Sequence, residues 1–189
     1  GEKRSWKEIV EGIPKILNLI HQSFPKMGVV FDGRTFPLTP SRSDYTHLQI
    51  DNERAKQIEK MLDSDIKTFN IIGKTAAEKL RWASLVDFFI THYATDSMYV
   101  SRMCKKPGVV HFPKCMSASA RAFHVHHNVL EIPEEAITDY TDPNHPGEWA
   151  YTSYSIPWEI VYEQVLKLWE SMPMSKFRPL PSHSNSQDS

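Results

Sequence analysis

The sequence predicts an α+β fold, with a small antiparallel or mixed sheet covered by helices near 76–93 and 157–171. One domain over residues 1–172 is expected. Three observations lead there. Two segments repeat apolar residues at helical spacing: Leu80, Leu85, Phe88 and Phe89 in one, Trp158, Val161, Val165, Leu168 and Trp169 in the other. Between them lie short apolar or alternating runs near 109–112 and 149–156, bounded by turn residues and read as strands. From Pro173 the chain is Pro- and Ser-rich without periodicity, so 173–189 reads as a disordered tail.

Taken in order, Trp6, Ile9, Val10 and Ile13 share a helical face that Gly12 and Pro14 interrupt, which predicts a broken helix over 5–11 and 14–23. Phe24-Pro25 ends it, because a residue before proline avoids the helical region. Residues 29–36 read as a hairpin turning at Asp32-Gly33. A short charged helix is expected over 51–62, with Ala55, Ile58, Met61 and Leu62 inward. Thr75 and Glu78 form a capping box at the start of the helix expected to reach Tyr93. Residues 96–108 read as a polar connection, and 157–171 as the closing helix.

Composition narrows the function classes. Hydrophobic residues make up 40% of the 189, enough for a core, and no apolar run approaches the roughly 18 residues of a membrane span. Lys and Arg total 22 against 23 Asp and Glu, a formal charge of -1, so the basic excess of a general nucleic-acid binder is missing. Two cysteines are too few for a secreted disulfide framework, which predicts an intracellular setting. Gly1 stands where Met is usual, and the expectation is a domain of a larger, eukaryotic-type protein.

Chemistry concentrates in residues 120–132, where His124, His126 and His127 crowd four positions. As a strand, His124 and His126 point one way and Phe123 and Val125 the other; as a helix, Phe123 and His127 share a face. The pair His124-Val125-His126 resembles the motif of HUH endonucleases, in which two histidines flank an apolar residue. That resemblance implies a divalent metal such as manganese, with His111 as a third ligand and Tyr162 as the nucleophile. A second arrangement, Cys104, His111, Cys115 and one of the clustered histidines, has the ligand types of a zinc site. The order of a helix, Phe112-Pro113 and then His124 is also similar to a single-strand-binding domain named for an Arg and a His. Its Arg position holds Ala120 here, and Arg121 is adjacent. The aromatic run Trp149, Tyr151, Tyr154 and Trp158 can stack on bases or a peptide, though such a stripe more often belongs to the core. Glu131, Glu134, Glu135 and Asp139 read as a solvated acidic face.

The expected function is a non-catalytic binding module without a cofactor. It would recognise a protein partner, or nucleic acid through a local patch, and no membrane. Its binding residues would be Arg121, His124, His127, Trp149 and Tyr151. A metal-dependent nickase using His124, His126 and Tyr162 is the alternative, and a structural zinc module the second.

Overall fold

A computed structural model describes residues 5–93, 97–118, 128–146, 148 and 151–172. The chain forms a single mixed α+β domain with small sheets, as its sequence predicts. Its elements are α1 (Ile9–Ser23), β1 (Gly28–Phe31), α2 (Arg42–Glu59), β2 (Lys67–Asn70), α3 (Ala76–Leu85), β3 (Phe89–His92), a π-helix (Met98–Met103), β4 (Gly108–His111), β5 (Val129–Glu131), β6 (Thr138–Thr141), β7 (Thr152–Ser155) and α4 (Trp158–Ser171). The strands fall into three sheets. β1 pairs with β2 in parallel, β3, β4 and β5 form a parallel trio, and β6 pairs with β7 as an antiparallel ribbon.

Several local expectations are corrected. Val29 to Phe31 does not fold back on Arg34 to Phe36; it pairs with Lys67 to Asn70 instead. The Asp32-Gly33 step cannot close a hairpin because its polar groups are engaged elsewhere. The Asp32 carboxylate accepts from the Gly33 amide at 2.7 Å, and the Arg34 amide donates to Asp51. The second helix starts at Arg42, nine residues before the expected Asp51, because Ser41 and Asp44 form a second capping box. The helix from Ala76 stops at Leu85, where Val86 turns extended (ψ 150°), and Phe89 to His92 become a strand. The expected strand near 109–112 is β4, that near 149–156 contains β7, and α4 occupies the expected closing helix.

The first helix is continuous through Gly12 and Pro14. Gly12 marks a close approach: a Cβ there would lie 2.9 Å from two atoms of the Trp6 ring and 3.0 Å from Trp158 Cβ. The indole lies flat on the helix where a side chain would be. Gly108 serves the same purpose in β4, since a Cβ would come within 2.5 Å of the Phe89 ring, its cross-strand partner.

Side chains of the parallel trio alternate between two layers. Val109, Ile90 and Leu130 pack with α1 and α4, around Ile16, Ile20, Val161 and Val165. Val110, Phe89 and Phe112 pack on the opposite side, with Val100 of the π-helix. Helix α2 packs on α1, whereas α3 packs on the π-helix. Among the described residues, no helix is long and apolar enough to cross a membrane.

Replacing Gly12 by Ala should destabilise the protein by about 1–3 kcal/mol through overpacking, even though alanine favours helix by up to about 1 kcal/mol. Urea unfolding of Gly12→Ala checks the sign. A gain in stability would mean that the indole has room to move.

Candidate functional site

Three polar groups lie close together at the carboxyl ends of β3 and β4. His92 and His111 are register partners that end their strands, with ring centroids 6.1 Å apart. Tyr154 of β7 reaches between them, and its hydroxyl lies 2.7 Å from His111 Nδ1. Trp6 closes the group edge-on to His111 at 5.4 Å, and its indole N–H donates to the Ile156 carbonyl at 3.0 Å. His111 is 3% exposed. Burial, and next the neighbouring His92, lower its pKa from 6.5 to about 3. The ring is therefore neutral at physiological pH. It shares one proton with the tyrosine hydroxyl.

The second feature lies at the carboxyl end of β1. Lys79, on the first turns of α3, is 1% exposed and sets its ammonium 2.6 Å from Asp32 Oδ1, with the Gly33 carbonyl as a second acceptor. Asp32 is itself one third exposed, so one side of its carboxylate faces water. Two further cations border this loop in loose pairs: Arg34 with Asp44 at 3.6 Å and Lys74 with Glu78 at 3.7 Å. The Gly73 amide donates to the Arg34 carbonyl, and Gly73 adopts φ +79°, which tucks the β2 loop against the β1 loop. The capping carboxylates Asp44 and Glu78 both have pKa values below the usual range, because Ser41 and Thr75 donate hydrogen bonds to them.

The two features belong to different sheets, one at the β1–β2 pair and one at the parallel trio. The β1–β2 crossover carries α2, which packs on α1, and the connection from β2 to β3 carries α3, which packs on the π-helix. Lys79 of α3 reaches back to Asp32, the residue that follows β1.

Against family models, curated proteins and solved structures, the chain shows no match.

The residues expected from sequence scatter. Arg121, His124, His126, His127 and Trp149 lie outside the described residues. Cys104 precedes the amino end of β4 and approaches the Leu80 carbonyl at 3.9 Å, whereas His111 and Cys115 are at or beyond that strand's carboxyl end. Burial pushes the Cys115 thiol pKa up. Among the described residues, no three His, Cys, Asp or Glu side chains gather closely enough to hold a metal ion. Tyr162 packs half-buried against the core below α4. Tyr151 stacks on His145 at 3.8 Å. Asp139, expected on a solvated face, accepts from the backbone amides of Lys114 and Cys115 at 2.7 and 2.8 Å. Sequence reasoning passed over Asp32, Lys79 and His92.

Because folded His111 resists protonation while the unfolded chain does not, stability should fall as pH drops from about 6.5 towards about 3. The slope from this one group approaches about 1.4 kcal/mol per pH unit in mid-window. His111→Gln should flatten it in urea titrations between neutral and mildly acid pH. Parallel curves for the two proteins would count against a neutral buried imidazole.

Proposed function

We propose that the chain is a binding module that takes a small phosphate-bearing ligand of the nucleotide class in a crevice beyond the carboxyl end of β1. In open α/β sheets, ligands enter beyond the carboxyl ends of the strands, where successive crossovers change face, and mononucleotides and dinucleotides are frequent occupants. This step is an analogy at the level of topology. One observation of this chain supports it above the others: the buried Lys79–Asp32 pair stands just beyond the carboxyl end of β1. A buried lysine is costly to keep without a partner. Here it fixes one carboxylate oxygen of Asp32 and leaves the other side of the group towards water, as an acceptor for ligand hydroxyls. Arg34 and Lys74 sit in exposed pairs that contribute at most about 1 kcal/mol each, so both can turn to a phosphate at little cost. The π-helix that is the next named element after β3 adds to the case, because such segments recur at functional sites.

A protein partner is a second reading, favoured by one specific feature. Leu80, Leu85 and Met103 are all exposed where α3 meets the π-helix, and Leu85 is 65% accessible. Apolar side chains grouped on a surface suit partner docking.

Calorimetric titration with nucleoside mono-, di- and triphosphates tests the primary reading. A bound nucleotide at a hundredfold excess over its Kd should stabilise the fold by about 2.7 kcal/mol. Arg34→Ala should weaken binding roughly tenfold, or about 1.4 kcal/mol, without lowering Tm. If no nucleotide binds at millimolar concentration, the crevice reading is wrong.

A further inference from the structure

A cavity of about 560 Å3 opens at the opposite, amino end of the parallel trio, within the range of small-ligand sites. Its inner wall is apolar, formed by Leu130, Leu168 and Met172, with Leu168 itself buried. Its rim carries Lys105, Lys106 and Asp87. Neither lysine is within ion-pair distance of Asp87 or of any other carboxylate among the described residues. Charges of opposite sign thus share one cavity without neutralising each other. The last turn of α4 also ends here, adding the negative pole of its backbone on the side of Leu168 and Met172.

The backbone around this cavity is strained. Lys105 and Asn128, with φ of 52° and 61°, are the non-glycine residues in the left-handed region among those described, and both line it. For lysine that conformation costs about 1–2 kcal/mol. Two hydrogen bonds hold the loops in place: the Lys106 amide donates to the Val100 carbonyl at 2.9 Å, and the Gly108 amide to the Asn128 carbonyl at 3.2 Å. Strain of this kind collects at ligand sites. Here it presents two adjacent ammonium groups at one rim.

We propose that this cavity binds a short apolar peptide with both ends free. Its carboxylate meets Lys105 and Lys106, its ammonium meets Asp87 and the carbonyl end of α4, and its side chains cover Leu130, Leu168 and Met172. A purely anionic ligand would be opposed by Asp87 and the helix end, and a purely cationic one by the lysines. Only a bipolar ligand satisfies both. The cavity is lined by none of the residues of the nucleotide crevice, so the two stand or fall separately.

The probe is the tripeptide leucyl-alanyl-leucine, titrated calorimetrically against the whole chain beside its N-acetylated and C-amidated forms. The free peptide should bind, and capping either end should weaken it at least tenfold. In the double variant Lys105→Gln/Lys106→Gln the amidated and free peptides should bind equally. In Asp87→Asn the acetylated and free peptides should bind equally. These side chains are at the rim, so the fold should survive, as circular dichroism would verify. No heat from the free peptide, equal affinity of all three forms for the native chain, or variants that bind as the native chain does would each overturn the proposal.

Discussion

The contact between Trp6 and the β4–β7 junction is the constraint on which the rest of the fold depends. The segment ahead of α1 runs alongside β7: the Lys7 amide donates to the Tyr154 carbonyl at 2.9 Å, and the Tyr154 amide to the Ser5 carbonyl at 3.0 Å. These bonds join segments far apart in the sequence, Ser5 to Lys7 with Tyr154. They also drive the indole beneath α1 and against His111. Gly12 makes room for it, and Ile156 accepts its N–H. A large aromatic ring buried in this way contributes several kcal/mol of apolar transfer, about 3–5 kcal/mol by the usual cost of truncating one. Its polar atom is also satisfied, so little is lost to desolvation. With this contact in place, α1 and α4 close over one face of the parallel trio.

A histidine at that position follows from the same geometry. His111 ends a strand whose other residues, Gly108, Val109 and Val110, are all buried, so its side chain enters the layer containing Trp6 and Tyr154. A charged imidazole would be expelled from there. A neutral one can trade a hydrogen bond with the Tyr154 hydroxyl and pack edge-on against the indole. Its depressed pKa is therefore a consequence of packing.

Much of the helical framework was legible, and the strand pairing was not. Thr75 and Glu78 mark the start of α3 because the capping box is a local signal, and α4 follows from its apolar stripe. Ser41 and Asp44 carry the same signal for α2, hidden only because the apolar face of that helix is thin: Leu48, Ala55 and Ile58 are its buried residues. The parallel strands are four residues or fewer, too short for periodicity to separate them from helix. Phe88 and Phe89 continue the helical spacing of Leu80 and Leu85, and only long-range pairing with β4 reveals the break. One cue did exist. The runs Ile90-Thr91-His92-Tyr93 and Val109-Val110-His111-Phe112 share a pattern of apolar residues, histidine, then an aromatic. In the structure they lie in register, with Tyr93 against Phe112. Of the site, Lys79 was hidden because a lysine on a helix is ordinarily a solvated residue, and its burial depends on a loop that is distant in sequence.

The distribution of charge follows from the same framework. Aromatic and aliphatic side chains fill the interior layers, and two groups of charged residues stand at strand ends, where backbone loops meet them. At the carboxyl end one lysine is drawn inward and neutralised by Asp32, and the loop from β1 is fixed around that pair. At the amino end Lys105, Lys106 and Asp87 line one cavity without an ion pair between them, although β3 and β4 start side by side, with the Phe89 amide donating to the Pro107 carbonyl. A paired charge stiffens the loop that carries it; charges held apart leave their fields available to a ligand. The β1–β2 pair and the parallel trio thus offer two chemically different surfaces, one with its lysine paired and one with its lysines unpaired.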